Sequence, residues 1–404
     1  MDKKPEKLVP EVRFKGFTDD WEQRKLSSIA HQTFGGGTPS KSNKQFWNGD
    51  FPWIQSSDLA EDTIRGVHPN KFITQNALQI SAAKKIPKNS IAIVSRVGVG
   101  KVALIPFNYS TSQDFLSLSG LKINSQFATY SIHKIMKKTA SQLQGTSIKG
   151  ITKKDILNKA IIFPISGKEQ VHISSLLKYV DYIISLQQRK LNQLKRLKRA
   201  MLQQLFVDKN CKQPILRFKN FNDNWEERKL SDIANYRNGK AHEQYIDMNG
   251  IYTVVNSKFI STNGKVKKFS NKPIELLKKG EIAFVLSDVP NGKALAKAYL
   301  IDSDNRYSLN QRIAGITPSS DINSYFLYIL MNRNRYFLKF DDGVGQTNLS
   351  KKDIEEFKEN YPLFDEQQKI ANLFSKIQIL ITLQQNKLTQ LTTLKKYLLQ
   401  KLFI

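Results

Sequence analysis

The chain has 404 residues, and 63 Lys plus Arg stand against 35 Asp plus Glu, a formal net charge of +28. Hydrophobic residues at 40% and aromatics at 10% describe a folded basic protein and exclude a basic disordered tail. One cysteine, Cys211, excludes an intrachain disulfide and a Cys-rich zinc site, and the apolar runs fall far short of the ~20 residues a membrane span needs. Residues 1–7 lack the apolar core of a signal peptide, so a soluble, cytoplasmic protein is expected. Nucleic acid is the default partner for such an excess of positive charge.

The chain is an internal duplication. Arg13-Phe-Lys-Gly-Phe-Thr-Asp-Asp-Trp-Glu-Gln-Arg-Lys-Leu-Ser-Ser-Ile-Ala30 returns as Arg217-Phe-Lys-Asn-Phe-Asn-Asp-Asn-Trp-Glu-Glu-Arg-Lys-Leu-Ser-Asp-Ile-Ala234, with 13 of 18 positions identical. Trp21 and Trp225, at the same repeat station beside Phe, read as core residues. The interior of the first copy carries short apolar and β-branched runs at 90–95 and 102–105, punctuated by Gly98 and Gly100, then helical spacing at 131–138. The interior of the second has runs at 251–255, 281–286 and 296–301 and a helical stretch at 325–331. The two interiors scarcely align. Each copy ends through Lys-Lys-Asp-Ile, at 153–156 and 351–354, with Thr152 and Ser350 placed as helix N-caps.

Residues 168–206 and 366–403 lack Gly and Pro and predict two long helices, each about 58 Å at 1.5 Å per residue. A heptad seam of Ile173, Leu177, Val180, Ile184, Gln187, Leu191, Leu194, Lys198, Met201 and Leu205 is matched by Ile370, Phe374, Ile377, Ile381, Gln384, Leu388, Leu391, Lys395, Leu398 and Leu402. Its polar members coincide, Gln187 with Gln384 and Lys198 with Lys395, and are expected to help fix register. The helices read either as buried amphipathic helices or, better for such sustained heptads, as an antiparallel coiled-coil spacer. Their polar faces are basic (Arg189, Lys190, Lys195, Arg196, Lys198, Arg199; Lys376, Lys387, Lys395, Lys396, Lys401), with Lys198 and Lys395 counted on this face as well as in the seam. No acidic residue lies between Asp181 and Asp208 or after Glu366, so phosphates or an acidic partner are the expected counter-charge.

Catalytic signatures are missing. No proline neighbours another, which excludes the Pro-Pro-aromatic loop of amine methyltransferases, and Gly100-Lys101 and Gly292-Lys293 both fail the phosphate-loop pattern. The five histidines have no metal-ligand spacing, and Glu356-Phe-Lys358 beside Asp353 is a weak nuclease-like triple. Candidate DNA contacts lie instead in the unlike interiors. In the first, Arg96 and Lys101 flank two glycines, either as base and phosphate contacts or as solvent-facing cations of an ordinary turn. Gln144, Thr146, Ser147 and Lys149 form a polar loop before the exit. In the second, Lys293, the loop Gln346-Thr347-Asn348 and the weaker candidates Arg237, Lys240 and Arg312 correspond.

Three features together resemble the specificity subunit of type I restriction-modification systems. They are the duplicated opening motif, the run Gly37-Thr-Pro39 followed by Phe46-Trp-Asn-Gly-Asp-Phe-Pro-Trp53, and the paired exits through Gly145-Thr-Ser147 and Gly345-Gln-Thr347. The resemblance implies an α+β chain of two mixed α/β target recognition lobes related by pseudo-twofold symmetry, separated by two long antiparallel coiled-coil helices. Expected domains are 1–163 and 209–361 for the lobes and 164–208 and 362–404 for the helices. It implies a non-catalytic DNA-binding subunit, each lobe reading one half of an asymmetric bipartite site on double-stranded DNA. Implied partners are two adenine methyltransferase subunits and the restriction/translocase subunits, with S-adenosylmethionine, ATP and magnesium held by those partners and no cofactor or metal bound by this chain. The other reading that the residues leave open is an adaptor whose basic helices bind acidic proteins without reading DNA.

Overall fold

The structure, a computed structural model, describes residues 8–143, 150–207 and 211–404. Residues 1–189 with 385–404 form one compact unit, and residues 190–384 form a second.

In the first unit, β1 (Trp21–Lys25) pairs antiparallel with β9 (Ala160–Pro164), joining the two ends of the lobe. A four-stranded antiparallel sheet runs β2 (Ala30–Gly35), β8 (Phe115–Leu121), β5 (Ser90–Val94), β6 (Val102–Ile105). A smaller sheet runs β4 (Lys71–Ile73), β3 (Phe51–Ile54), β7 (Ser110–Thr111). Ser-Ile-Ala-Ile-Val in β5 is buried throughout because both faces are covered. One face meets the helix Ser125–Leu143 through Phe127 and Ile132, and the other meets Ile54, Tyr109 and Phe115.

The second unit repeats the plan. Here β10 (Glu226–Lys229) pairs with β21 (Lys358–Tyr361), and β11 (Ala234–Asn238), β19 (Ile313–Pro318), β15 (Ile282–Val285) and β17 (Ala298–Leu300) form the four-stranded sheet. The second sheet runs β13 (Phe269–Ser270), β12 (Tyr252–Val255), β18 (Tyr307–Leu309), β14 (Leu276–Leu277). A further pair, β16 (Ser287–Asp288) with β20 (Thr347–Asn348), ties the exit loop to the sheet edge. Each β-branched run and helical stretch expected from the sequence contains a strand or helix, but the run at 296–301 is strand only over Ala298–Leu300, because Ala296 sits in a turn at φ +57°. Trp21 and Trp225 are core residues at 2% and 3% exposure.

Both long helices form, Gly167–Leu205 (the central helix) and Phe364–Lys401 (the C-terminal helix). All twenty heptad positions are buried or half-buried, while Arg189, Lys190, Lys195, Arg196, Arg199, Lys376, Lys387 and Lys396 are exposed. Within each unit the two helices run antiparallel. In the first, Lys395 sits beside Asp181, and Leu402 and Phe403 share a core with Ile173 and Leu177. In the second, Lys198 sits beside Gln378 and Phe206 packs on Phe374. Lys198 and Lys395 lie in the seam, which corrects their placement on the basic face. Lys395 is only 7% exposed because its ammonium ion-pairs with Asp181 (2.6 Å) and donates to the Asp62 carbonyl (2.7 Å).

How each lobe is mounted on its helices is the same twice. Arg13 grips Glu169 with two N–H···O bonds (2.7 and 2.9 Å), and Arg217 grips Glu366 likewise (2.9 and 2.8 Å). Each glutamate lies in the first turn of its helix, where the helix dipole also favours a carboxylate. The next residue brackets the junction: Gln170 donates to the Pro164 carbonyl and accepts from Asn124 N–H, and Gln367 does the same with Pro362 and Asn323. Phe403, at the end of the C-terminal helix, stacks on Phe127, while Phe206, at the end of the central helix, stacks on Phe326. Each lobe is thus closed by the tail of the other repeat's helix.

Candidate nucleic-acid interface

In the first lobe the β5–β6 turn stands clear of the sheet. Gly98 and Gly100 have φ of +95° and +105°, and a Cβ on Gly100 would lie 3.1 Å from the Ala140 methyl, so the turn rests directly on the helix Ser125–Leu143. Arg96 and Val97 are exposed at its tip. Lys101 is half-buried and its ammonium donates to the Ser56 carbonyl (3.1 Å). It anchors the turn, whereas Arg96 is exposed and has no ion-pair partner among the described residues. The exit segment comes back to this turn: Ile151 N–H donates to the Ser95 carbonyl (2.8 Å), and Gly150 lies against Arg96. Gln144, Thr146, Ser147 and Lys149 fall outside the described residues.

The second lobe builds the same station from other residues. The Asp288 carboxylate accepts N–H bonds from Val289, Ala294 and Leu295 and so folds the turn, with Asn291 at φ +53°. Leu349 N–H donates to the Leu286 carbonyl (2.8 Å), and Gln346 donates to the Ser287 hydroxyl (2.7 Å). Leu286 N–H in turn reaches the carbonyl of Arg312, which is exposed at φ +66°. The backbone therefore gathers exposed Lys293, Arg312, Gln346 and Asn348, with Val289 and Val344 as exposed apolar tips.

With Lys101 an anchor of its turn, two more candidates leave the set. All five N–H groups of Arg237 are committed, to Glu281, Glu275, Thr317 and the Leu276 carbonyl, so it has no fork to offer a base. Burial raises the Glu281 carboxyl, but the bonds from Arg237, Thr317 and Lys278 N–H outweigh it and hold the group below the usual carboxylate range. Thr347 is buried in β20 and bonded to Asp341 (3.3 Å). Lys240 stays exposed, 3.4 Å from Glu275, on the Arg237 side of the lobe. Thr152 and Ser350 are N-caps, accepting from the N–H of Asp155 and Asp353.

The nuclease-like triple is dispersed: Asp353 closes a capping box on Ser350, Glu356 pairs with Lys229 and Lys358 with Glu227. Among the described residues no group of three or more His, Cys, Asp or Glu could hold a metal ion, and no helix is long and apolar enough to cross a membrane. Sequence reasoning passed over the Arg–Glu and Gln brackets. Their signal was there, since Glu169-Gln170 recurs as Glu366-Gln367 at the head of each helix.

Two unlike patches on one repeated frame match a known family model. The type I restriction modification DNA specificity domain covers residues 18–196 and again 222–393. The chain belongs to this family. A type I restriction enzyme specificity subunit (MjaIX) of Methanocaldococcus jannaschii is 29% identical over 196 residues, 47% of this chain and 44% of the relative. The EcoR124I/EcoR124II specificity subunit of Escherichia coli is 31% identical over 156 residues, 36% of this chain and 38% of the relative. The chain thus spans under half the length of these curated relatives. Among solved structures, the S subunit of a type I restriction-modification system from M. genitalium aligns over 98% of this chain and 99% of its own, with a TM-score of 0.66 at 20% identity. A chain from a type I complex whose assembly and conformational transition were described aligns over 95% and 97%, with a TM-score of 0.54 at 15% identity. These share the two-lobed α+β fold of the family, whose model is that of a DNA specificity domain.

Proposed function

We propose that the chain is the DNA-reading subunit of a type I restriction-modification complex in which each lobe reads one half of an asymmetric bipartite site. The observation that carries this reading is the pair of chemically unlike turn-and-loop patches on matched frames. Arg96 beside Gly150 reads one half, and Lys293, Arg312, Gln346 and Asn348 read the other. Arg96 is suited to a bidentate guanine contact and Gln346 and Asn348 to adenine, and the exposed helix cations supply phosphate contacts.

The same reading gives each unit one adenine methyltransferase subunit, and through it the restriction subunits. Its support is a repeated exposed apolar set. The first unit presents Ile165, Tyr182, Leu186 and Leu394, and the second presents their repeat equivalents Leu363, Ile379, Leu383 and Leu197. Ile165 and Leu363 are each 66% exposed. Apolar positions matched in the two repeats, two of the four with the same residue, suit two copies of one partner. S-adenosylmethionine, ATP and magnesium then belong to those partners, and the complex works in the cytoplasm.

The test is methylation of a randomised DNA pool by the chain with methyltransferase subunits, expected to enrich a two-part motif. Arg96→Ala should lower discrimination at one position of one half by about tenfold and leave the other half intact. Enrichment of no two-part motif would sink the proposal. A shallow dependence of DNA binding on salt would instead favour the adaptor reading, because a phosphate-neutralising binder loses affinity steeply.

A further inference from the structure

A cleft of about 420 Å³ opens on the first lobe, lined by Lys41, Trp47, Gly49, Asn70, Lys71 and Phe72. It shares no residue with the Arg96 patch. Its walls are fixed. The Trp47 indole N–H donates to the Ser40 carbonyl (3.0 Å), and its ring meets Trp53 edge-on with centroids 5.0 Å apart. Trp53 is itself buried and donates to the Gly37 carbonyl (3.0 Å). A Cβ on Gly49 would lie 2.2 Å from the Ile73 carbonyl oxygen, so the segment carrying Trp47 closes flush onto β4, which carries Lys71 and Phe72. Asn70 is held by a bond to the Asp58 carboxylate (2.7 Å).

The chemistry of the lining is selective. The Lys71 ammonium lies 5.9 and 5.7 Å from the Trp47 and Trp53 ring centroids, and neither Lys41 nor Lys71 has an ion-pair partner among the described residues. No carboxylate lines the cleft. A neutral aromatic ligand would leave two ammonium groups unanswered, and a bare phosphate would leave two aromatic rings unused. A planar ring joined to an anion uses both, and the volume sits at the small end of the range of about 300–1,000 Å³ for ligand pockets, enough for one such unit. At the matching station of the second lobe the described residues are different. Gly250 presses on Ser270 as Gly49 presses on Ile73, but the residue two before it is Met248, fully out in solvent.

We propose that this cleft binds a single nucleotide, its base against Trp47 and Phe72 and its phosphate on Lys41 and Lys71. The nucleotide is either free or a displaced residue of a DNA strand. The proposal does not rest on the bipartite-site reading.

The test titrates the full chain calorimetrically with dAMP, dCMP, dGMP and dTMP, and with deoxyribose 5-phosphate and deoxyadenosine as half-ligands. At least one nucleotide is expected to bind about tenfold tighter than either half-ligand. Trp47→Ala and Lys71→Gln should each weaken it by about tenfold, whereas Trp47→Phe, which keeps a ring, retains most of the affinity. Should Trp47→Ala loosen the Trp53 neighbourhood, Trp47→Phe and Lys71→Gln carry the comparison, the latter at an exposed position. A duplex with one unpaired nucleotide, set against its matched parent, separates the sources. A Trp47-dependent preference for the unpaired duplex assigns the cleft to a DNA strand, and nucleotide binding without that preference assigns it to free nucleotide. Equal binding of deoxyribose phosphate and nucleotides, or no Trp47-dependent binding of any probe at millimolar concentration, overturns the proposal. The half-site change expected of Arg96→Ala would be untouched by that failure.

Discussion

The two units are mounted alike and wired differently. Each has its Arg–Glu grip, its Gln bracket and its stacked Phe pair, with nearly the same distances. In the seam they part. The Lys395–Asp181 ion pair of the first unit faces a repeat-equivalent Lys198–Gln378 hydrogen bond (2.8 Å) in the second. Around Asp181 the first unit adds the Tyr130 hydroxyl (2.7 Å), with Lys137 on Asp62 (3.2 Å) and buried His133 close by. Counting from the matched Phe127 and Phe326, the second unit has Ile329 and Asn332 where the first has Tyr130 and His133. The contacts that seat a lobe on its helices are those the two copies share. Those that tune its stability, and those in its turn-and-loop patch, have diverged.

Removing the guanidinium from either grip should cost the most. Arg13→Ala and Arg217→Ala each strand a glutamate whose side chain is 1% exposed, an expected loss of about 3–5 kcal/mol in urea unfolding and similar in both units. A clear inequality would break the claim that the mounts are equivalent. Phe403→Ala should destabilise the first lobe by about 3–4 kcal/mol, and Phe206→Ala, at a half-buried site, should cost the second lobe less. Hydrogen exchange resolves the two lobes, and each loss should be confined to the lobe that holds the ring.

Acid should separate the units further. Burial, followed by the charges of Lys395 and Lys137, pushes His133 down to about 4, below its ordinary value of 6.5. A histidine kept neutral by the fold contributes stability that is fully present above its unfolded pKa and is lost as pH falls through the folded value. The first lobe should therefore lose up to about 3 kcal/mol between pH 6.5 and pH 4, while the second, with Asn332 at that station, stays flatter. His133→Asn should level the two profiles. The smallest effect has opposite signs: Lys395→Met should destabilise by about 2 kcal/mol, whereas Lys198→Met should stabilise by about 0.5 kcal/mol. Burial lowers the pKa of Lys198, and no carboxylate among the described residues pairs with it. Destabilisation by both variants would remove the distinction.

Periodicity made the frame readable. Heptads, the repeated opening motif and β-branched runs report which face is buried, and a buried face is what the fold must satisfy. Lys198 and Lys395 show the limit of that reasoning. The heptad put both in the seam while their charge suggested solvent, and only the partners across the helix pair, Asp181 for Lys395 and Gln378 for Lys198, decide. Arg237 fails for the same reason: the cation looks free in the sequence until Glu275, just before β14, and Glu281, just before β15, close on it. The Trp47 cleft was in plain view as an aromatic run, but its depth depends on Lys71 and Phe72 coming alongside from β4.

The closing of each lobe by a helix tail sets an order in time. The second unit is one unbroken stretch, 190–384, and holds every residue of its core once that stretch has left the ribosome. The first unit needs Leu402 and Phe403, which follow Arg189 by roughly 200 residues, a wait of some 10–40 s at about 5–20 residues per second. Until then Phe127 lacks the ring that stacks on it in the finished unit. The half made first is finished last, and during synthesis it is the half exposed to misassembly and proteases.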